Sequence, residues 1–310
     1  MSLIEINFNI DRKEWERYFS SISSPNLTQS WVYGEAKVKS QDWKVLRGIV
    51  TENKNPIALI QATYKKILFL KLVRISYGPL WIIKNPSLEQ IKLVFKIIKS
   101  QWDLKKLSIL SIAPNLSDSL ENRRVLSELF FFRSACRSYE SGLIDLSQTS
   151  EVLRANLRSN WRNQLKFSEK KQLIFESSNE FDDFKWIIFC FKKLRKEKNF
   201  YGHSVKFLEA FYQLSSESYE TWIIIVSHHD EKVAGMLIAQ SKSSCVPLII
   251  WVSDKGRKLN AGNFLLWNSI LYAKGKGCLW FDLGSTYNNK FKTGMPHEPF
   301  QLIGEYYGFI

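Results

Sequence analysis

The segment FDLGSTYNNKFKTGMP, residues 281–296, concentrates side chains that could move protons or hold negative charge. Asp282 ends a predicted strand, where its carboxylate could orient or deprotonate a nucleophile. Lys290 and Lys292 follow in a predicted loop, where a fixed ammonium could neutralise a developing oxyanion or a phosphate. Tyr287 is a candidate proton donor to a leaving group. The plainer alternatives are that Asp282 caps a turn and that Tyr287 is an ordinary loop tyrosine.

The stretch DKGRKLNAG, residues 254–262, predicts an anion-binding site. It separates an apolar run that predicts a strand from a run that predicts a helix over Ala261 to Lys274. Arg257, Asn260 and Gly262 therefore stand where the N–H groups of a helix lack acceptors, which is a physically sound place for a phosphate. The alternative is that Asn260 only caps the helix and that Gly262 only permits close packing.

The segment VLRANLRSNWRNQLKFS, residues 152–168, predicts one amphipathic helix with a cationic edge. Its apolar stripe is Leu153, Leu157, Trp161 and Leu165, and its cationic edge is Arg154, Arg158, Arg162 and Lys166. The segment contains no acid, and like charges at this spacing destabilise a helix by roughly 0.2–0.5 kcal/mol per pair. The edge therefore faces an anionic substrate, remains solvated, or pairs with acids elsewhere in the chain.

A repeated order of elements surrounds these segments and predicts a duplicated α/β unit. Residues 43–114 and 221–284 both predict strand, polar turn, strand, strand, helix and strand. In each copy the helix joins two strands as the crossover between parallel neighbours requires. We assign the first copy to roughly 1–140 and the second to 141–310. The first copy has IKNPSLEQ at the equivalent place, with no glycine and with an acid, so if either copy binds a phosphate we expect it to be the second.

The 310-residue chain has the composition of an ordinary globular protein and an excess of positive charge. Its formal net charge of +14 favours anionic partners such as tRNA, phosphorylated cofactors, nucleotide sugars or an acidic membrane surface. The sequence has no basic leader and no long apolar run, which predicts a cytoplasmic protein without a transmembrane segment. Its four cysteines and four histidines lack ligand spacing, so no metal site is expected.

The segment YKKILFLKLVRISYGPLW, residues 64–81, interleaves Lys65, Lys66, Lys71 and Arg74 with apolar residues. This pattern suits peripheral contact with an acidic membrane. Strand edges that are protected by lysine produce the same pattern, so both interpretations stay open here.

The order strand, R-x-x-N-x-G, helix resembles the pyrophosphate motif of the GNAT acyltransferases, Q/R-x-x-G-x-G/A. Arg257 and Gly262 match it, and Asn260 stands where the first glycine is usual. A duplicated GNAT-like fold resembles the FemAB-like peptidoglycan-bridge aminoacyltransferases. Three segments are similar to that family, LTQSWVYGEAK, LRSNWRNQLKFSEKKQL and FDLGSTYNNKFKTGMP. The last resembles the family's D-x-G and F-K-x-G-F-G, with Met295 and Pro296 in place of the closing Phe-Gly.

The resemblance implies an α/β fold of two tandem GNAT-like domains, each a mixed twisted sheet flanked by helices, with a degenerate first copy. It implies an N-acyltransferase that moves an acyl or aminoacyl group from an activated donor to an amine of an anionic cell-envelope or polysaccharide precursor. No tightly bound cofactor is expected. Acyl-CoA is slightly preferred as co-substrate over aminoacyl-tRNA, because the coiled-coil insertion that docks tRNA is absent and part of the phosphate motif is present.

The resemblance also supplies candidate residues, with Lys292 at the position of the family's F-K lysine. The catalytic candidates are Asp282, Lys292 and Tyr287. The donor-binding candidates are Arg257, Asn260 and Gly262. The acceptor-binding candidates are Lys37, Arg158, Arg162, Lys166 and Lys290. Two alternatives stay open, namely an aminoacyl-tRNA-dependent peptidoglycan-bridge aminoacyltransferase and a noncatalytic module that binds nucleic acid or an anionic glycan.

Overall fold

Each half of the chain folds around one mixed sheet, in the repeated order that the sequence predicts. The computed structural model describes residues 3–22, 25–102, 107–135, 138–198, 202–216 and 221–308. The chain divides into an N-terminal unit, Met1–Tyr139 with Gln301–Ile310, and a C-terminal unit, Glu140–Phe300. Both units are mixed sheets flanked by helices, which confirms the predicted fold class.

The N-terminal sheet has the strand order β1-β2-β3-β4-β6-β15-β7, and β5 pairs with β3. Its strands are β1 Ile4–Asn7, β2 Lys44–Glu52, β3 Asn55–Ile67, β4 Leu70–Ser76, β5 Leu80–Trp81, β6 Ser108–Ala113, β7 Phe131–Arg133 and β15 Tyr306–Gly308. Its helices are α1 Arg12–Ser21, α2 Trp31–Gln41, α3 Leu88–Gln101 and α4 Leu120–Glu128.

The C-terminal sheet has the strand order β14-β8-β13-β12-β11-β10-β9. Its strands are β8 Glu140–Asp145, β9 Ile174–Ser178, β10 Thr221–His228, β11 Glu231–Ser241, β12 Ser244–Val252, β13 Trp280–Ser285 and β14 Glu298–Gln301. Its helices are α5 Ser150–Ala155, α6 Ser159–Glu169, α7 Phe181–Lys198, α8 Val205–Ser216, α9 Asp254–Lys258 and α10 Ala261–Gly275.

Helices cover both faces of each sheet, so the central strands are apolar on both sides. On β11, Met236 belongs to the core that contains α10, whereas the bare backbone of Gly235 faces Trp186 on α7. On β3, Ile60 packs with α3, whereas Leu59 packs with α1. Among the described residues, no helix is both long enough and apolar enough to cross a membrane.

The two copies differ at their parallel strand pair. In the N-terminal unit β4 and β6 pair over their whole length, from Lys71 with Ser108 to Ser76 with Ala113. In the C-terminal unit β12 and β13 pair only at Ser244 with Trp280 and at the next residue of each strand. The later residues of β12 therefore have no parallel strand beside them, which leaves space for a ligand along that edge of the strand.

The strand β15, Tyr306–Gly308, joins the N-terminal sheet, although the sequence analysis assigned these residues to the copy 141–310. β15 lies between β6 and β7 and pairs with both, so the end of the chain completes the N-terminal sheet. Tyr306 is buried there among residues of α3, β4 and β6. A three-residue strand carries no sequence signal for the sheet it joins, because only long-range pairing selects its partner.

The single helix predicted over 152–168 is also wrong, because the segment forms two helices. The chain is extended at Arg158, with φ −56° and ψ 141°, and the Arg158 N–H donates to the Gly294 carbonyl. This contact with a distant segment replaces a helical hydrogen bond at the break. The predicted apolar stripe is nevertheless buried, as Leu153, Leu157, Trp161 and Leu165 all join one core.

Candidate active site

A cavity of about 810 Å³ lies in the C-terminal unit and is lined in part by Ile250 and Val252. Both residues lie beyond the part of β12 that pairs with β13. The cations that line the cavity are Arg158, Lys198, Arg257 and Lys290, and the amides are Asn160, Gln164, Asn260, Asn263 and Asn289. No acid is among the described residues that line it. This combination of cations and amide donors suits a multiply charged anionic ligand.

The start of α10 lies at that cavity, which Asn260, Gly262 and Asn263 line. Asn260 is the N-cap residue, but its side chain makes no capping hydrogen bond. Its backbone is left-handed, with φ 53° and ψ 31°, a conformation that asparagine tolerates better than other non-glycine residues. Asn260 therefore adopts the left-handed backbone conformation that a glycine would adopt at this position. The N–H groups of Ala261 and Gly262 have no acceptor within the helix.

Gly262 is not required by packing. A Cβ atom at this position would lie 3.4 Å from Val252 Cγ2 and 3.7 Å from the Phe291 ring, which are ordinary contacts. Gly262 also lines the cavity. Glycine here leaves space where a ligand can approach the backbone, which is what a phosphate bound at a helix start needs.

Arg257 is held at the cavity by two acceptors. Its guanidinium donates to the Val252 carbonyl at 3.0 Å and to Asp254 Oδ1 at 2.7 Å. The Asp254 side chain is almost fully exposed, so this ion pair is weak and can be exchanged for an incoming anion. Ser253 caps the preceding helix α9 through the Gly256 N–H, which fixes the turn that presents Arg257.

One wall of the cavity forms where two of the family-like segments pack together. Trp161 on α6 donates its indole N–H to the Phe291 carbonyl at 3.0 Å, and its ring lies 6.1 Å from the Phe291 ring. Gly294 has no room for a side chain, because a Cβ atom there would lie 2.5 Å from Trp161 Cδ1. Phe291 and Gly294 are therefore the parts of the F-K-x-G-like segment that hold Lys292 in place.

Asp282 and Lys292 come together beside this wall and interact electrostatically. Burial raises the pKa of the Asp282 carboxyl, and the Ser141 hydroxyl, the Gly284 N–H and the Lys292 ammonium partly oppose that rise. Burial lowers the pKa of the Lys292 ammonium, and Asp282 opposes that shift. Lys292 Nζ donates to the Ser285 carbonyl at 3.2 Å. Such opposed shifts in neighbouring groups are typical of proton-transfer sites.

Asp282, Lys292 and Tyr287 are not among the residues that line the cavity, although Lys290 and Phe291 are. The Lys292 backbone N–H donates to Asn289 Oδ1, which ties the lysine to a residue that does line it. Tyr287 is about half exposed in the loop after β13. Lys292 is thus adjacent in sequence to the cavity wall.

The cationic edge predicted for 152–168 is mostly committed to contacts within the protein. Arg154 forms a two-pronged ion pair with Glu169, at 2.8 and 2.6 Å. Arg162 donates to the Ala155 carbonyl at the end of α5, and Lys166 is exposed on α6. Arg158 alone of this predicted edge lines the cavity.

The N-terminal copy lacks an open helix start at the equivalent place. Ser87 and Gln90 form a capping box on α3, so the side chain of Ser87 accepts the Gln90 N–H and the side chain of Gln90 accepts the Ser87 N–H. Gln90 also donates to Glu52 Oε2 at 2.8 Å, which brings an acid to this helix start. Both features disfavour a bound anion.

Lys37, the remaining candidate, belongs to the N-terminal unit. Its ammonium donates to Gln41 Oε1 at 3.0 Å and lies 5.7 Å from the centre of the Tyr33 ring. Burial and then Arg74 lower the pKa of the Lys37 ammonium, and burial raises the pKa of Tyr33 to about 12.

The rest of the family-like segment around Lys37 is structural. The buried Arg47 donates to Gln61 Oε1 at 2.7 Å, to Glu35 Oε1 at 2.9 Å and to the Trp31 carbonyl at 3.0 Å. Gly34 has no room for a side chain beside Arg47 and Gln61. This network fastens α2 to β2 and β3.

Sequence reasoning missed several of the cavity residues, chiefly Lys198, Gln164 and Asn263. Asn263 is buried in the first turn of α10 and donates to Gln164 Oε1 at 3.3 Å. Its signal was a polar residue on the otherwise apolar face of a helix. Lys198 ends α7 and carries no local signal, because only the fold brings it to the cavity.

The family model for the acetyltransferase (GNAT) domain matches residues 153–293. The C-terminal unit is a GNAT acyltransferase domain. The matched residues include the start of α10, the Trp161 contact and the Asp282–Lys292 pair, so the geometry described above belongs to this GNAT domain. The predicted enzyme class, an acyltransferase, is confirmed. No curated protein matches the chain.

Solved structures share the fold of the whole chain. FemX matches with a TM-score of 0.82 and 14% identity, over 99% of this chain and 97% of that one. A tandem GNAT protein from the clavulanic acid biosynthesis pathway matches at 0.58 and 8%, over 99% and 98%. The C-terminal domain of a putative lysylphosphatidylglycerol synthetase from Agrobacterium fabrum matches at 0.58 and 12%, over 96% and 92%. The predicted tandem GNAT fold of FemAB type is therefore confirmed.

Proposed function

We propose that this chain transfers an acyl or aminoacyl group to an amine of a cell-envelope or polysaccharide precursor, with acyl-CoA as the preferred donor. The observation that carries the proposal is the uncapped start of α10, with bare backbone at Gly262, opening into a cationic cavity. The part of β12 that does not pair with β13 borders the same cavity.

The residues present fit the phosphates of coenzyme A. The N–H groups of Ala261 and Gly262 would hold the pyrophosphate, since a Cβ atom at 262 would occupy part of the space that this needs. Arg257 would add charge, and Lys198 supplies a further cation to the same cavity. When bound, acyl-CoA would supply an activated thioester carbonyl.

Asp282 and Lys292 would carry the proton and the developing charge. The Asp282 carboxylate would take a proton from the attacking amine, and its buried environment makes it a stronger base than an ordinary aspartate. The Lys292 ammonium would stabilise the negative charge that develops on the carbonyl oxygen. Each contribution is typically worth about 10²–10³-fold in rate. Tyr287 is the candidate donor of a proton to the leaving group.

The class of acceptor rests on the FemAB-type resemblance and on the fold shared with FemX. The synthetase domain, which is named for lysylphosphatidylglycerol, shows that the same fold occurs in a protein linked to an aminoacylated lipid. An anionic acceptor also suits the cations at the cavity, of which Arg158 and Lys290 are the acceptor candidates. Arg162, Lys166 and Lys37 stay candidates outside it.

Calorimetric titration with acetyl-CoA and with desulfo-CoA tests the donor. We expect micromolar binding of both, because the phosphates rather than the thiol provide the main contacts. Arg257→Ala and Gly262→Asp should weaken binding by at least about tenfold, since they remove a cation and place an acid at the helix start.

Matched controls are Lys255→Ala on the same helix as Arg257 and Gly275→Asp at the far end of α10. Lys255 pairs with Glu231, and a Cβ atom at 275 meets no atom within 4 Å. Both controls should bind normally. Absence of binding to either ligand would contradict acyl-CoA as the donor, and titration with aminoacyl-tRNA would then test the second donor class.

A further inference from the structure

The hairpin between β3 and β4 carries an exposed apolar tip on the N-terminal unit. Ile67, Leu68 and Phe69 are 49%, 90% and 70% exposed. They are consecutive, so together they form a protruding apolar surface rather than scattered exposed residues, which would need no explanation. We refer to these three residues as the apolar tip.

The turn itself departs from ordinary hairpin chemistry. Ile67 pairs with Leu70, so Leu68 and Phe69 are the two residues of the turn. Leu68 has φ 56°, a conformation that glycine or asparagine adopts at much lower cost. Tight hairpin turns normally contain glycine, asparagine or aspartate for this reason. Neither local backbone preference nor solubility accounts for leucine and phenylalanine here.

A collar of lysines surrounds the tip. Lys66 lies directly across the hairpin from Lys71, and like charges in that arrangement oppose strand pairing. Lys71 Nζ lies 4.1 Å from the centre of the Tyr64 ring, and Lys65 lies 4.0 Å from Asp42 on the exposed surface. Lys71 pairs with Ser108 of β6, so it does not protect a sheet edge, whereas Lys65 and Lys66 lie beyond the part of β3 that pairs with β2.

Further apolar side chains lie at the same end of the sheet. β6 is parallel to β4 and starts beside it, where the Leu107 carbonyl accepts the Lys71 N–H. β7 also runs in this direction, and its first residue, Phe131, lies across β15 from Leu110, the third residue of β6. Leu107 and Phe130, just before those two strands, are 51% and 69% exposed.

We propose that the apolar tip and its lysine collar form a docking surface for a lipid bilayer with anionic headgroups. The tip would enter the interfacial region of the bilayer, where its apolar side chains leave water. The lysines would then lie at the level of the phosphates, where the repulsion between Lys66 and Lys71 is neutralised. The most exposed residue of the tip, Leu68, and its neighbour Ile67 offer no aromatic face for a base to stack on, so a nucleic acid fits this surface less well.

Sedimentation with vesicles tests this proposal without depending on acyl transfer. We expect the wild-type protein to bind vesicles of phosphatidylglycerol and phosphatidylcholine in equal parts, and to bind pure phosphatidylcholine vesicles at least about tenfold more weakly. Leu68→Gly with Phe69→Asn should reduce binding to the mixed vesicles by at least about tenfold, because two large apolar side chains are removed. This variant should fold, since glycine followed by asparagine suits a two-residue hairpin turn.

A second variant tests the contribution of the lysines to vesicle binding, and a control tests whether any exposed apolar side chain would have the same effect. Lys66→Gln with Lys71→Gln should also weaken binding to the mixed vesicles about tenfold. Leu120→Asn removes a leucine that is 79% exposed outside this surface and should leave binding unchanged. Wild-type binding that survives the turn variant overturns the proposal, as does absence of vesicle binding. A wild-type dimer that the turn variant converts to monomers, without vesicle binding, assigns the surface to a second copy and also overturns it.

Discussion

At the scale of residues, the candidate site depends on two neighbouring ionisable groups whose burial disfavours their charged forms. Burial disfavours both the Asp282 carboxylate and the Lys292 ammonium, and each partly compensates for the other. Residue types were enough to select both candidates from the sequence. Their proximity comes from the packing of Trp161 against Phe291 and Gly294. Active sites commonly retain such unfavourable burial, because it is useful to chemistry rather than to stability.

Asp282→Asn should stabilise the protein at neutral pH while abolishing transfer. The folded protein raises the pKa of this carboxyl, so ionisation opposes folding above that pKa, and the effect disappears below the ordinary value of about 3.9. We expect a gain of about 1 kcal/mol at pH 7 that shrinks toward zero near pH 4. Thermal unfolding midpoints measured across this pH range check the expectation.

Ser141→Ala should change the stability of the protein in the opposite direction to Asp282→Asn. The Ser141 hydroxyl donates to Asp282, so its removal should lower the unfolding midpoint at pH 7 by an amount that corresponds to about 1 kcal/mol. A midpoint at pH 7 that falls in Asp282→Asn would show that the carboxylate stabilises the fold and is not a poised base.

At the scale of elements, the decisive comparison is between two helix starts. A capping box at the start of α3 satisfies the N–H groups of Ser87 and Gln90, whereas α10 begins after a left-handed asparagine without a side-chain cap. An uncapped helix start usually costs about 1 kcal/mol, so its occurrence at the wall of a cationic cavity has a functional explanation. Residues 152–168 show how a distant contact can override a local pattern. Their apolar periodicity predicted a single helix, but the hydrogen bond from the Arg158 N–H to the Gly294 carbonyl divides the segment into two helices.

Asn260 should tolerate glycine better than alanine. Its φ of 53° is accessible to glycine without strain, whereas alanine pays roughly 1 kcal/mol in this region. We expect Asn260→Gly to unfold in guanidinium within about 0.5 kcal/mol of wild type and to retain acetyl-CoA affinity. Asn260→Ala should be less stable by about 1 kcal/mol. Equal stability of the two variants would mean that the left-handed conformation is not maintained in solution.

At the scale of the whole molecule, two copies of one architecture have diverged in opposite directions. The N-terminal copy keeps β4 and β6 paired throughout and receives its last strand from the end of the chain. In the C-terminal copy, β12 pairs with β13 only at its start, and the rest of its length beside that strand borders a cavity. The first arrangement favours a closed sheet, and the second favours a site for a ligand.

We therefore expect one acetyl-CoA per chain. The N-terminal copy has no open strand pair, Ser87 and Gln90 cap the start of α3, and Glu52 adds an unfavourable charge there. Gly262→Asp should remove the single calorimetric site. Ser87→Asp, which adds an acid at the equivalent helix start and preserves a good capping residue, should leave it intact. A stoichiometry of two would show that the N-terminal copy also binds the donor.

Much of the architecture was determined by the sequence alone. Alternating apolar residues, polar turns and an amphipathic crossover predict the order of strands and helices in both copies, because these periodicities reflect local geometry. The sequence also located the helix start at Asn260 and the residue types of the candidate pair. These are all properties of short stretches, where propensity and pattern act directly.

The tertiary structure decided what depends on contacts between distant segments. It broke the helix at Arg158, returned β15 to the first sheet, and brought Lys198 and Asn263 to the cavity. It also distinguished the two copies, since the pairing of the parallel strands that is complete in one is interrupted in the other. Such outcomes follow from the packing of the whole core and from long-range backbone pairing, neither of which a local sequence pattern encodes.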